Sequence, residues 1–92
     1  MTKTILITGA SRGIGYATAE LFAQNGWKVA ICSRDESQIK KAESNLRKST
    51  DNKNIIGIQA DIGDASSVDH LFDVVKNQFH GLDALINNAG II

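Results

Sequence analysis

The stretch TILITGASRGIG, Thr4 to Gly15, passes from a β-branched and apolar run into a segment that holds glycine at positions 9, 13 and 15. Residues 4–8 suit a buried strand, and the residues after the glycines carry helix formers as far as about Gln24. There Asn25-Gly26 supplies a helix stop, because glycine takes the left-handed conformation cheaply. The glycines therefore occupy a turn that joins a first strand to a first helix.

Working outward, the alternation repeats. Lys28 to Ser33 reads as a second strand, and a second helix starts near Asp35, with Ile39, Ala42 and Leu46 spaced to share one face. Its other face is charged and solvated. The segment DNKN, Asp51 to Asn54, is a turn, and IIGIQA, Ile55 to Ala60, is a third strand. Asp64 has the character of a helix N-cap. Val68, Leu71, Phe72, Val75 and Phe79 then form an apolar stripe, expected to be core or interface, which Gly81 ends. ALIN, Ala84 to Asn87, is a fourth strand. Short apolar strands alternating with helices imply right-handed crossovers and an α/β fold: a Rossmann-type doubly wound parallel sheet of order 3-2-1-4 with three helices. Residues 1–92 read as part of one domain, with no second.

Composition narrows the function classes. A chain of 92 residues that is 42% apolar and 22% charged is that of a soluble globular protein, with an aliphatic core because only 5% is aromatic. A net charge of zero with dispersed positive residues argues against nucleic acid and anionic membranes as partners. Cys32, the only cysteine, lies in the apolar run VAIC and reads as a buried small hydrophobe in a reducing, cytoplasmic setting. His70 and His80 have no third ligand spaced to join them, so no metal site is expected.

In this fold the first strand-to-helix turn lies at the carboxyl edge of the sheet, beside the point where strand order reverses. The helix N-terminus presents unpaired N–H groups and about half a positive charge, which suits a phosphate. Gly9 permits a tight exit from the strand, Gly13 lets a pyrophosphate approach the backbone, and Gly15 lets the helix pack closely. The expected ligand is a dinucleotide. The spacing is Gly-x-x-x-Gly-x-Gly, not the Gly-x-Gly-x-x-Gly of the general fingerprint.

TGASRGIG, DIGD after the third strand and NNAG after the fourth together resemble the short-chain dehydrogenase/reductase family, in particular its 3-oxoacyl-carrier-protein reductase and carbonyl reductase branches. The resemblance runs from Thr4 to Gly90. It implies that Gly9, Ser11, Arg12, Gly13, Ile14 and Gly15 hold the pyrophosphate and adenine ribose. It further implies that Asp61 and Ile62 frame the adenine, and that Asn88, Ala89 and Gly90 line the ribose side of the cleft. Read without the resemblance, Asp61 is equally a strand-end cap and NNAG equally a turn.

The choice of dinucleotide turns on the end of the second strand, where an NAD enzyme places an acid for the ribose hydroxyls. Here Ser33 stands in that place and Arg34 follows, which favours NADP(H), with Arg34 and Arg12 clamping the 2′-phosphate. Asp35 keeps NAD(H) open but is better placed to cap the second helix. The family's proton donor is a tyrosine with a lysine four residues on; the only tyrosine is Tyr16, and Glu20 stands four residues later. No residue here inherits that role, so the resemblance implies the NADP(H)-binding portion of an oxidoreductase that interconverts carbonyl and alcohol, inactive as these 92 residues alone. A small carbonyl or alcohol substrate is expected only in a longer chain. The alternatives are a non-catalytic dinucleotide-binding module and a structural fragment that binds nothing. The fourth strand, at the sheet edge with one face poorly covered, points to self-association.

Overall fold

A computed structural model describes residues 2–88. The chain forms β1 (Thr4–Thr8), α1 (Gly13–Gln24), β2 (Lys28–Ser33), α2 (Glu36–Thr50), β3 (Ile55–Gln59), α3 (Ala65–Phe79) and β4 (Ala84–Asn87). The four strands make one parallel sheet in the order β3-β2-β1-β4, the doubly wound order expected from the alternation. Ala89 and Gly90, expected on the ribose side of the cleft, lie outside the described residues.

Strand periodicity divides the core into two layers. Ile5, Ile7, Val29, Ile31 and Ile55 point to one face, where Ala19 and Ala23 of α1 and Ile39, Ala42 and Leu46 of α2 cover them. Leu6, Ala30, Cys32 and Ile58 point to the other, beneath Leu71, Val75 and Phe79 of α3. Because both faces are covered, β1 is buried at every residue and β2 at every central one. The third strand ends at Gln59, yet the Ala60 N–H still donates to the Ser33 carbonyl at 2.9 Å, so the ladder runs one residue further.

The apolar stripe of α3 is buried along its centre and open on one flank. Leu71, Val75 and Phe79 are core, whereas Val68 is half-buried and Phe72 is 39% exposed. Val68 and Phe72 flank the stripe on the side of β4, where Leu85 is itself 51% exposed. Two helices on one face and one on the other leave this corner uncovered among the described residues.

The second and third helices begin at aspartates. Asp35 accepts from the Gln38 N–H at 3.0 Å, and Asp64 accepts from the Ser66 N–H at 3.1 Å. Glycine ends none of the helices directly. Asn25 caps α1, with Gly26 at φ 82° after it, while Asp51 and His80 close α2 and α3 in the left-handed conformation. His80 is thus a cap rather than a helix residue, and Gly81 lies one place beyond it.

Candidate functional site

Gly9, Ser33, Arg34, Asp61 and Ile62 line one cleft of about 490 Å³, together with Ala60 and Gly63. The parallel topology is the cause: β1, β2 and β3 all release their chains at the same sheet edge, so three separate loops meet there. A trough of about 600 Å³ also runs along the outer side of β3 between α2 and α3. It touches none of the glycine loop.

Gly9 and Gly13 have φ of 62° and 65°, the left-handed region that other residues seldom adopt. A Cβ on Gly13 would meet nothing within 4 Å, so its backbone is open to an approaching group. Gly15 is constrained by space. A Cβ there would stand 2.6 Å from the Gly9 carbonyl and 2.9 Å from Asn88 Nδ2. Asn88 in turn donates from Nδ2 to the Gly9 carbonyl at 3.1 Å, and Thr8 Oγ1 donates to Asn87 Oδ1 at 2.8 Å. Asn87 and Asn88 thereby tie the end of β4 to the end of β1 and the loop after it.

The start of α1 differs from the other two helices. Arg12 occupies its N-cap position with extended backbone and no side-chain cap hydrogen bond. The first-turn N–H groups and their partial positive charge are thus not taken by a capping carboxylate, the arrangement that receives anions elsewhere. Arg12, Gly13 and Ile14 are exposed and Ser11 is half-buried. Arg12 does not line the cleft, so only Arg34 of the two expected arginines does.

At the end of β2, Ser33 Oγ donates to the Asp35 carbonyl at 3.2 Å. Asp35 is committed to its helix: Oδ1 accepts from Gln38 N–H and from Ser37 Oγ at 2.9 Å. Those hydrogen bonds, the Gln38 N–H foremost, hold its carboxyl below the usual carboxylate range. Arg34 is exposed, and no side chain among the described residues pairs with its guanidinium. Across the cleft, Asp61 Oδ1 accepts from the Gly63 N–H at 2.9 Å, an Asx turn, and the Asp61 N–H donates to Ser67 Oγ at 2.8 Å. A carboxylate has acceptor sites beyond that single bond.

Neither Tyr16 nor Cys32 lines this cleft. Burial first, and the Glu20 carboxylate second, push the Tyr16 phenol above its ordinary value, away from that of a neutral-pH acid or base. Burial likewise pushes the Cys32 thiol up to about 11. No three His, Cys, Asp or Glu side chains converge among the described residues. None of the described helices is long and apolar enough to cross a membrane. Residues that sequence reasoning missed are Ala60 and Gly63 in the lining, and Gln59, whose side-chain amide donates to the Arg34 carbonyl at 3.1 Å. An exposed glutamine at a strand end carries no sequence signal of such a bond.

The fold is shared with known proteins. The chain is 41% identical over 93 aligned positions to the 3-oxoacyl-acyl-carrier-protein reductase FabG of Staphylococcus aureus, covering 99% of this chain and 37% of that one. Its fold matches the L-sorbose reductase of Gluconobacter frateurii, solved with NADPH and L-sorbose, at a TM-score of 0.92 and 32% identity, covering 98% of this chain and 34% of that one. The 3-ketoacyl-acyl-carrier-protein reductase of Brucella melitensis, solved with NADH, matches at a TM-score of 0.82 and 30% identity over 90% of this chain and 32% of that one. The chain thus spans about a third of the length of each of these three relatives. The family model for short chain dehydrogenases matches residues 3–92, and the chain belongs to that family.

Proposed function

We propose that these 92 residues form the NADP(H)-binding portion of a single dinucleotide-binding domain, in an oxidoreductase that interconverts a carbonyl and an alcohol. The observation that carries the reading is the convergence of Gly9, Ser33, Arg34, Asp61 and Ile62 on one cleft beside an uncapped helix N-terminus. When bound, the nicotinamide supplies or accepts the hydride. The chain's own residues bind and orient. The first turn of α1, with Ser11 and Arg12, takes the pyrophosphate; Asp61 and Ile62 take the adenine; Asn88, with Ala89 and Gly90, takes the ribose side.

Two features favour NADP over NAD. Asp35, the acid nearest the end of β2 in the chain, is occupied as a helix cap, and Ser33 leaves room where a ribose-binding acid would stand. Arg34 then meets the 2′-phosphate by charge-assisted hydrogen bonds. NADPH stands in one of the compared structures and NADH in another, which supports a dinucleotide in general and leaves the preference to experiment. The lone buried thiol accords with a reducing, cytoplasmic setting.

Calorimetric titration of NADPH and NADH is the test. Arg34→Ala should weaken NADPH about tenfold and leave NADH unchanged. Ser33→Asp should lose more NADPH and gain NADH, by setting a carboxylate against the phosphate and offering an acceptor to the ribose hydroxyls. Equal losses for both cofactors in Arg34→Ala would withdraw the NADP preference. Assayed alone, the 92 residues should turn over no carbonyl substrate, because Tyr16 has Glu20 where the family pattern needs lysine. That same feature favours a second reading of the isolated chain, a dinucleotide-binding module without catalysis. NADPH-dependent turnover by protein of verified mass would overturn both the inactivity and the module.

A further inference from the structure

We infer that Gln59 is a positioning residue for Arg34, holding the loop from which Arg34 reads the 2′-phosphate. The inference rests on the NADP reading above and adds to it a residue outside the cleft lining. Four successive carbonyls around Arg34 each have a donor. The Cys32 carbonyl accepts from Ala10 N–H at 3.2 Å, and the Ser33 carbonyl accepts from Ala60 N–H at 2.9 Å. The Arg34 carbonyl accepts from Gln59 Nε2 at 3.1 Å, and the Asp35 carbonyl accepts from Ile39 N–H at 3.0 Å. Three of these tethers are backbone groups that any sequence would supply. The one on Arg34 itself comes from a side chain 25 residues away.

Gln59 is also the last rung of a longer attachment. In the parallel register Ser33 pairs with Gln59, and alternate residues of β3 turn their backbone groups outward from the sheet. Side chains of α2 take those groups: Arg47 Nε donates to the Ile55 carbonyl at 2.9 Å, Lys40 Nζ donates to the Gly57 carbonyl at 2.7 Å, and Glu43 Oε1 accepts from the Gly57 N–H at 2.6 Å. Residues 55, 57 and 59 thus each hold the segment that begins at Arg34 and runs along α2. At the first two rungs the side chain comes from the helix, and at the third it comes from the strand. Removing the third leaves α2 registered and releases only the peptide that carries Arg34.

Gln59→Met keeps the length of the side chain and removes the donor; Gln59→Glu replaces the donor with a carboxylate. Gln59 lies at the surface, so a general loss of fold is read separately from the thermal melt, which should stay at the wild-type midpoint for Gln59→Met. In Gln59→Met, NADPH affinity should fall about three- to tenfold, the size of one modest hydrogen bond, with NADH affinity unchanged. Gln59→Glu should lose more NADPH, and added salt should recover part of it. The decisive measurement is the double variant. Arg34→Ala/Gln59→Met should bind NADPH no more weakly than Arg34→Ala alone, since a positioning residue has nothing left to position. Additive losses, equal losses for both cofactors, or wild-type NADPH affinity in Gln59→Met would each overturn the positioning role while a selective Arg34→Ala kept the NADP reading. An unselective Arg34→Ala, or a folded chain that binds neither cofactor, would overturn both.

Discussion

Gly13 and Gly15 are glycine for different reasons, and alanine separates them. At Gly13 the backbone has φ 65° with open space where a methyl would stand, so Gly13→Ala should cost about 1–2 kcal/mol through the left-handed conformation alone. At Gly15 the methyl would collide with the Gly9 carbonyl and Ala10 Cα, backbone that no rotamer change can move aside. Overpacking of that kind costs about 1–3 kcal/mol, which the better helix propensity of alanine offsets only in part. Gly15→Ala should also separate α1 from the Asn88–Gly9 contact, so urea melts should show a loss accompanied by weaker nucleotide binding. Cys32 gives a pH dependence. An acid whose folded value is raised to about 11 stays neutral in the native chain while the unfolded thiol ionises from its ordinary 9.0 upward. Stability should therefore fall with rising pH between those two values, and Cys32→Ala should flatten that part of the profile.

Among the elements, α2 is attached to the sheet by polar side chains as well as by its packing. It buries Ile39, Ala42 and Leu46, and its charged residues attach it to the free edge of β3. The sequence predicts a charged face that is merely solvated, but Lys40, Glu43 and Arg47 serve as partners for backbone groups that an edge strand would otherwise present to another chain. Exchanging the two charges, Lys40→Glu with Glu43→Lys, preserves net charge and the 3.7 Å helix pair while facing each group with the wrong partner at Gly57. Hydrogen exchange should then show the Gly57 amide losing about tenfold in protection, with β1 amides unchanged. The start of α2 depends on Asp35 in the opposite pH direction. Its folded carboxyl titrates lower than the unfolded one, so the cap contributes above the ordinary carboxylate range and is lost as pH falls through the folded value. Exchange at Gln38 should rise over that acid window, and Asp35→Ala should remove the dependence.

At the scale of the whole molecule, the uncovered corner between α3 and β4 decides how the 92 residues behave by themselves. Leu85, Phe72 and Leu82 are exposed there, beside the unpaired edge of β4 among the described residues. Burying two or three such side chains is worth about 1.5–3 kcal/mol each, comparable with a small domain's whole margin of stability. The isolated chain is accordingly expected to self-associate, with a sedimentation coefficient that rises with concentration and falls toward the monomer value in Leu85→Lys. A monomer at all concentrations with a sharp cooperative melt would count against that expectation.

Much of this molecule was determined locally. The alternation of strand and helix, the aspartate caps of α2 and α3, and the glycine turn after β1 depend on neighbours within a few residues, so the sequence alone specified them and, through the right-handed crossover, the order of the sheet. The same holds for Gly9, Ser33, Arg34, Asp61 and Ile62, because parallel strands bring all their carboxyl ends to one edge whatever the details of packing. What tertiary structure alone decided were the pairings across the sheet. Gln59 reaches Arg34, Lys40 and Glu43 reach Gly57, and Asn88 reaches Gly9 only because register and helix placement set those atoms side by side. The exposure of Phe72 has the same origin. A 3.6-residue period identifies an apolar face, but whether both flanks of that face are covered depends on what packs beside it, and periodicity carries no information about that.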